Sequence, residues 1–214
     1  MSARVRTAVL ISGRGSNMVS LLAATVDAGF PAEIVLVIAN RGDAGGIGRA
    51  QAAGVETLVI PHTDFPGDRA AHEAAIDAAL VARDVQLVCL AGYMRILTAL
   101  LVGRWAGRML NIHPSLLPAF PGLHTHARAL AAGVKLAGCT VHWVTEGMDE
   151  GPAVAQAAVP VLADDTEDSL AARVLAQEHV IYPLALRLAA LGQAGSGDAS
   201  AALVNPLPAP PAGH

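Results

Sequence analysis

Three short, almost wholly apolar segments recur in the first half of the chain, and helix-forming segments lie between them. They occupy residues 5–11, 33–39 and 85–91 and are rich in Val, Ile and Leu. Strands that are buried on both faces of a parallel sheet have this composition. Alternation of such strands with helices predicts an α/β fold, a single doubly wound and mostly parallel sheet with helices on both faces.

Other segments of the first half fit the same alternation. The further predicted elements are a helix that follows the turn at residues 13–17 and runs to about Ala28, a Gly-rich helix start after Arg41, a strand at 55–60 and a helix at 68–82 with Asp68 as its N-cap.

The second half departs from this alternation after residue 107. The segment HPSLLPAFPGLH contains three prolines, which exclude regular structure there. Two predicted strands, at 136–145 and 153–160, follow one another without a helix, so we expect an antiparallel C-terminal strand pair joined to the sheet. The remaining predicted elements are a strand at 108–112, a helix at 124–133 and a long helix at 166–190 with Thr166 as its N-cap.

Composition bounds the number of domains and the kind of partner. The 214 residues suffice for one domain or two small ones. Beyond Leu191 the chain consists mainly of Gly, Ala, Ser and Pro, so we expect one domain over residues 1–190 and a flexible tail over 191–214. The net charge of −4 argues against nucleic acid as the main partner.

Other classes of protein are disfavoured as well. The sequence has no uninterrupted apolar stretch of about 18 residues, so we expect no membrane span. The first residues lack the pattern of a cleaved signal peptide, and we expect a cytoplasmic protein that acts on small molecules, as a monomer or a homodimer. Cys89 and Cys139 lie in apolar segments, which indicates buried small side chains rather than a disulfide or a metal site.

A glycine-rich turn links the first strand to the first helix. Gly13 and Gly15 allow a close backbone approach, and the N–H groups that begin a helix bind anions. The dinucleotide-binding pattern is incomplete, because Met18 stands where its third glycine would be and no acidic residue ends the second strand. NAD is therefore disfavoured, although Arg41 leaves NADP open. A cradle for one phosphate, with Ser16 and Asn17 as donors, and a plain tight turn both remain.

Asn111 and His113 are separated by one residue at the end of a predicted strand. Alternation places their side chains on the same face, where an amide could stabilise an oxyanion and an imidazole could carry a proton. Asp149, in an acidic loop, becomes relevant only if it meets His113 in space.

The other histidines suggest less. His124 and His126 have no third ligand of matching character nearby, so we expect no metal site. His142 alternates with apolar residues in a strand, which is typical of a residue in the core or behind a site.

Several longer strings resemble the phosphoribosylglycinamide formyltransferase family, folate-dependent enzymes of purine synthesis. The strings are VLISGRGSN, LAGYMRIL, LNIHPSLLPAFPGLHTHARAL, VHWVTEGMDEGP and ARVLAQEHVIYP, in the family's order from about residue 6 to 190. The resemblance implies a Rossmann-like formyltransferase domain that uses 10-formyltetrahydrofolate as co-substrate and needs no metal. Because the substrate amine attacks the formyl carbon directly, it also implies that no enzyme nucleophile is required.

The resemblance implies three groups of site residues. The catalytic residues would be Asn111, His113 and Asp149. Those that contact the ribonucleotide would be Gly15, Ser16, Asn17, Leu175 and Glu178. Those that contact the folate would be Arg69, Met94, Arg95, Ile96, Leu97, Asn111, Thr145, Glu146, Gly147, Met148 and Asp149.

Two alternatives remain at this stage. One is an enzyme that resembles formyltetrahydrofolate hydrolase, and the other is a non-catalytic nucleotide-binding module. The second would account for the glycine-rich turn but not for Asn111, His113 and Asp149 in one chain.

Overall fold

The chain folds around one mixed sheet in the computed structural model, which describes residues 3–194 and 203–204. Within these residues the strands are β1 (Val5–Ile11), β2 (Ala32–Ala39), β3 (Glu56–Val59), β4 (Leu87–Leu90), β5 (Met109–His113), β6 (Leu136–Trp143), β7 (Ala153–Pro160) and β8 (Leu203–Val204). The helices are α1 (Ser16–Thr25), α2 (Gly46–Ala52), α3 (Arg69–Val81), α4 (Ala99–Arg104), α5 (Thr125–Ala131) and α6 (Glu167–Ala190), with a short 3-10 helix at His62–Asp64.

The strand order is β3-β2-β1-β4-β5-β6-β7-β8. Strands β3, β2, β1, β4 and β5 run parallel, while β6 is antiparallel to both β5 and β7. The predicted doubly wound sheet with an antiparallel C-terminal pair is therefore confirmed. The direction of winding changes between β1 and β4, and ligands of such sheets bind beyond the carboxyl ends of the strands at this point.

Most predicted elements lie within a few residues of their observed bounds. Both predicted N-caps are confirmed, since the side chain of Asp68 accepts from the Ala71 N–H and that of Thr166 accepts from the Ser169 N–H. Helix α1 ends at Thr25 rather than near Ala28, because Asp27 forms a turn in which its carboxylate accepts from the Gly29 N–H.

Strand β8 was not predicted. Leu203 and Val204 pair in parallel with Gln156 and Ala157 of β7. Residues 191–194 of the expected flexible tail are described as well. Residues 195–202 and 205–214 lie outside the described residues, so the flexibility of those segments stays a prediction.

Two apolar cores lie on opposite faces of the sheet. In β1, Val9 and Ile11 belong to the first core, with apolar residues of α1, α2, α5 and α6. Ala8 and Leu10 belong to the second core, with residues of α3 and α4. Cys89 and Cys139 are free and buried, as predicted. None of the helices in the described part of the chain is long and apolar enough to cross a membrane.

Candidate active site

The glycine-rich turn after β1 is packed directly against the turn that begins α2. Gly15 has φ +69, and a Cβ there would lie 3.1 Å from the Cα of Gly46. A Cβ on Gly46 would lie 2.6 Å from the Cδ1 of Ile11, and the Gly46 N–H donates to the Gly13 carbonyl over 3.0 Å. Glycine at both positions allows this approach without a steric conflict. The first N–H groups of α1, like those of any helix, have no partners inside the helix.

Gly46 was missed by the sequence reasoning. Its signal was the pair Gly45-Gly46 shortly after the second strand, but its close contacts with Ile11 and with the glycine-rich turn are visible only in the fold.

Asn17 and Glu178 meet in the buried space behind the glycine-rich turn. The Asn17 Nδ2 donates to Glu178 Oε2 over 2.6 Å, although the residues are 161 positions apart. Burial raises the pKa of Glu178, and the hydrogen bond from Asn17 opposes that shift only in part. The Asn17 Oδ1 is buried and has no partner among the described residues. Leu175 lies one helical turn before Glu178 on α6. The structure thus unites Asn17 and Glu178, which the family resemblance had assigned to one substrate.

The raised pKa of Glu178 should make the stability of the fold depend on pH. A buried acid with a raised pKa stabilises the fold fully below its ordinary pKa, and that stability is lost as pH rises through the folded-state pKa. Glu178→Gln keeps an acceptor for Asn17 and cannot ionise. We therefore expect the variant to gain Tm relative to the parent as pH rises from about 5 to 8, by roughly 2–4 °C for each kcal/mol at this chain length.

Thermal unfolding at several pH values measures this gain. Glu150→Gln, which neutralises an exposed carboxylate, is the matched control and should leave the pH dependence unchanged. Parallel Tm–pH curves for Glu178→Gln and the parent protein would contradict the prediction.

Asn111 and His113 share one face of β5, as their spacing predicted. The residues that alternate with them, Leu110 and Ile112, pack in the first core, so the two polar side chains point to the other face. The His113 side chain is only 8% exposed. Its Nδ1 lies 3.3 Å from Asp149 Oδ2, and its Nε2 lies 3.1 Å from the Phe120 carbonyl oxygen. Both ring nitrogens therefore face oxygen acceptors, an arrangement that suits a doubly protonated imidazole.

Asp149 joins this pair from the loop between β6 and β7. Its backbone has φ +58, and its Oδ2 also accepts from the Gly122 N–H over 2.9 Å. Burial pushes the pKa of Asp149 upward. Hydrogen bonds from His142 and the Gly122 N–H, together with the neighbouring imidazoles, outweigh burial and hold the pKa below its usual value. Asp149 is therefore the anionic member of the cluster.

His142 connects Asn111 to Asp149. It pairs with Asn111 across β5 and β6, and its Nε2 lies 3.1 Å from Asn111 Nδ2 and 3.6 Å from Asp149 Oδ1. Its Nδ1 lies 3.0 Å from the Trp143 carbonyl oxygen and donates to it. Its Nε2 therefore faces both the Asn111 amide and the Asp149 carboxylate and links the two. The sequence placed His142 in the core or behind a site, and it lies behind the site.

The residues that the resemblance assigned to folate lie in three places. Arg69 is the first residue of α3 and is exposed. The segment 92–98 is a loop, and in it Met94 and Ile96 are 68% and 61% exposed. The third group lies in the loop between β6 and β7, where Thr145, Glu146, Gly147 and Met148 precede Asp149.

The loop after β4 is joined to the glycine-rich turn after β1. The Met94 N–H donates to Ser12 Oγ over 2.8 Å, and the Ser12 N–H donates to the Gly92 carbonyl over 3.2 Å. Candidate site residues follow β1, β4 and β5. These hydrogen bonds hold the first two of those strand ends together.

Two other sequence hypotheses concerned metal and NADP. His124 precedes α5 and His126 lies in its first turn, and no cluster of three or more His, Cys, Asp or Glu side chains suited to a metal occurs in residues 3–194. The Arg41 guanidinium is engaged by Asp43 at 2.7 Å, so the charge that would attract a 2′-phosphate is already paired.

The cluster has a definite chemical capacity. A buried imidazole and an amide can stabilise negative charge on oxygen, and the imidazole can carry a proton while a carboxylate balances its charge. The N–H groups at the start of α1, on the other side of β4, suit an anionic ligand.

Comparison with known proteins places these features in a family. The family described as "Formyl transferase" matches residues 5–186. The phosphoribosylglycinamide formyltransferase of Escherichia coli is 46% identical over 179 residues, which are 83% of this chain and 84% of that protein. A crystal structure of phosphoribosylglycinamide formyltransferase from Brucella melitensis is 57% identical, with a TM-score of 0.84 over 88% of this chain and 96% of that one.

A longer relative also matches. The trifunctional purine biosynthetic protein adenosine-3 of Drosophila melanogaster is 51% identical over 193 residues, and the match covers 89% of this chain but 14% of that protein. Because one family covers nearly all of β1 to α6, the chain belongs to the formyl transferase family.

Proposed function

We propose that the chain transfers the formyl group of 10-formyltetrahydrofolate to the glycyl amine of N1-(5-phospho-D-ribosyl)glycinamide, a step of de novo purine synthesis. One observation carries the proposal, namely the convergence of Asn111, His113 and Asp149 at the carboxyl end of β5. The names of the relatives at 46% and 57% identity support the same activity.

The ribonucleotide would bind across the carboxyl edge of the sheet. Its phosphate would accept from the N–H groups of Gly15, Ser16 and Asn17 at the start of α1, where the helix dipole also favours an anion. Glu178, next to Asn17, would contact the ribose from the side of α6. The glycyl amine would then extend past β4 toward His113.

The folate would approach from the other side. The 92–98 loop, Arg69 and the loop from Thr145 to Asp149 are its proposed contacts. The exposed side chains of Met94 and Ile96 offer an apolar surface, and Arg69 and Arg95 offer charge to carboxylates.

The reaction needs no covalent intermediate with the enzyme. The amine nitrogen attacks the formyl carbon and a C–N bond forms, while the carbonyl electron pair moves to oxygen. Asn111 and the imidazolium of His113 stabilise that oxyanion, and Asp149 balances the imidazolium charge. The attacking nitrogen loses a proton, the bond from the formyl carbon to folate N10 breaks, and N10 takes up a proton through His113 or water. Holding both substrates together supplies part of the acceleration.

A spectrophotometric assay tests the proposal. We expect the deformylated folate to appear only when both the ribonucleotide and a 10-formyl folate are present. Release of folate in the absence of the ribonucleotide would instead identify a hydrolase. No release in either reaction by folded protein would leave a nucleotide-binding module, which protection by NADP in a thermal melt would then support.

A further inference from the structure

Thr140 and Gln156 hold the irregular segment that follows His113. We propose that they are positioning residues for the reaction, which act by fixing the loop groups that surround the His113–Asp149 pair; the inference rests on the proposed function. His113 pairs with Thr140 across β5 and β6, and Thr140 pairs with Gln156 across β6 and β7. Side chains of directly paired residues lie on the same face of a sheet. The side chains of His113, Thr140 and Gln156 therefore form one row across the sheet.

The face that carries this row is polar at β6. Cys139 and Val141 point into the first core, and Thr140 and His142 alternate with them onto the other face. On that face the second core draws on β1, β2, β4 and on Met109 at the start of β5. Within the segment 114–120, Ser115, Leu117 and Phe120 contact the row through hydrogen bonds.

The hydrogen bonds of the row leave no donor or acceptor of the Thr140 hydroxyl unused. Its Oγ1 donates to the Ser115 carbonyl over 2.7 Å and accepts from the Leu117 N–H over 3.0 Å. Gln156 Nε2 donates both to this Oγ1, over 3.0 Å, and to the Leu117 carbonyl, over 2.9 Å. A hydroxyl has one proton and two lone pairs, and an amide nitrogen has two protons, so all of these are engaged. Reversal of the Gln156 amide would place oxygen against the Leu117 carbonyl, and the arrangement is therefore unique.

The held segment surrounds His113 on two sides. Phe120, three residues beyond Leu117, presents its carbonyl to His113 Nε2, and Gly122 donates its N–H to Asp149 Oδ2. Ser115 Oγ donates to the Ala119 carbonyl over 2.7 Å and so holds the backbone next to Phe120. Displacement of the loop would thus move one partner of the imidazole and one partner of its carboxylate at the same time.

This placement predicts a specific kinetic effect. Thr140→Val keeps the shape of the side chain but leaves the Ser115 carbonyl and the Leu117 N–H without their buried partner. A displacement of about 1 Å near reacting groups costs on the order of 10²-fold in rate. We expect Thr140→Val to lower kcat roughly 10- to 100-fold and to change KM for the ribonucleotide less than about threefold, because the phosphate site lies at β1. Thr140→Ser, which restores the hydroxyl, should recover most of kcat, and Gln156→Met should lower kcat in the same direction.

Thr7→Val is the matched control. Thr7 is also a fully buried threonine on a strand, and its hydroxyl donates to the Val5 carbonyl near the amino end of β1. This variant should keep kcat even if its Tm falls. Equal losses of kcat in Thr7→Val and Thr140→Val would overturn the proposal, and so would an unchanged kcat in Thr140→Val.

A second readout does not depend on activity. The ¹⁵N resonances of the His113 ring, followed against pH, report which nitrogens carry protons. We expect Thr140→Val to change them and Thr140→Ser and Thr7→Val to leave them as in the parent protein. Identical resonances in Thr140→Val and the parent would refute the positioning role. Because the resonances need no substrate, this test separates failure of the positioning role from failure of the proposed formyl transfer.

Discussion

Replacement of His113 by alanine should lower kcat by about 10³-fold, within the roughly 10²–10⁴ range of groups that move protons in a transition state. The imidazole is buried between the Asp149 carboxylate and the Phe120 carbonyl, so water entering the vacated space cannot reproduce both a held charge and a fixed donor. KM for the ribonucleotide should change little, because the proposed phosphate contacts lie at α1. Steady-state kinetics with each substrate varied in turn would measure both quantities.

His62→Gln is the control for the loss of an imidazole. His62 is half-buried and follows β3, which lies four strands from β5 in the sheet. Its ring contacts Asn40, just after β2. It should retain the parent kcat. Turnover of His113→Ala within about threefold of the parent would remove His113 from the mechanism.

Asp149→Asn should lower kcat by roughly 10²–10³-fold. The asparagine keeps an oxygen for the Gly122 N–H but has no charge to balance an imidazolium. Asn is also the right replacement for the backbone, because Asp149 has φ +58 and asparagine tolerates that conformation better than alanine does. The loss therefore measures the carboxylate rather than strain in the loop.

The adjacent carboxylate provides the comparison. Glu150 is exposed and in the same loop, and Glu150→Gln should leave kcat unchanged. Acid sensitivity provides a second measurement, because the carboxylate has a lowered pKa. Its contribution to stability is present above its ordinary pKa and is lost as pH falls through the lowered folded-state value. Asp149→Asn should lack this loss, and a parent-like kcat in the variant would show that the charge is dispensable.

Local sequence patterns were sufficient to predict most of the strands and helices. Strand β1 is an uninterrupted apolar run with a turn after it, and the caps Asp68 and Thr166 mark helix starts by a local hydrogen bond. Period-2 alternation likewise placed Asn111 and His113 on one face before the fold was known. Each of these features depends on interactions between residues close in sequence.

Contacts between segments that are distant in sequence could not be predicted from such local patterns. The meeting of Asp149 with His113, and that of Asn17 with Glu178, depend on which strands are neighbours and on how α6 returns across the sheet. Strand β8 consists of two residues with no pattern of their own, and it exists through its pairing with β7. The site roles of the folate residues came from family resemblance, and they remain predictions.

The order of the strands has a consequence for which acceptors can react. Strand β4 lies between β1 and β5, and two steps of about 4.8 Å put the glycine-rich turn and His113 about 10 Å apart across the sheet. The bonds from Ser12 to the loop after β4 fix the first of these two steps. With the proposed function, this distance selects the substrate. An amine is formylated only if the acceptor molecule holds it at a matching distance from its phosphate.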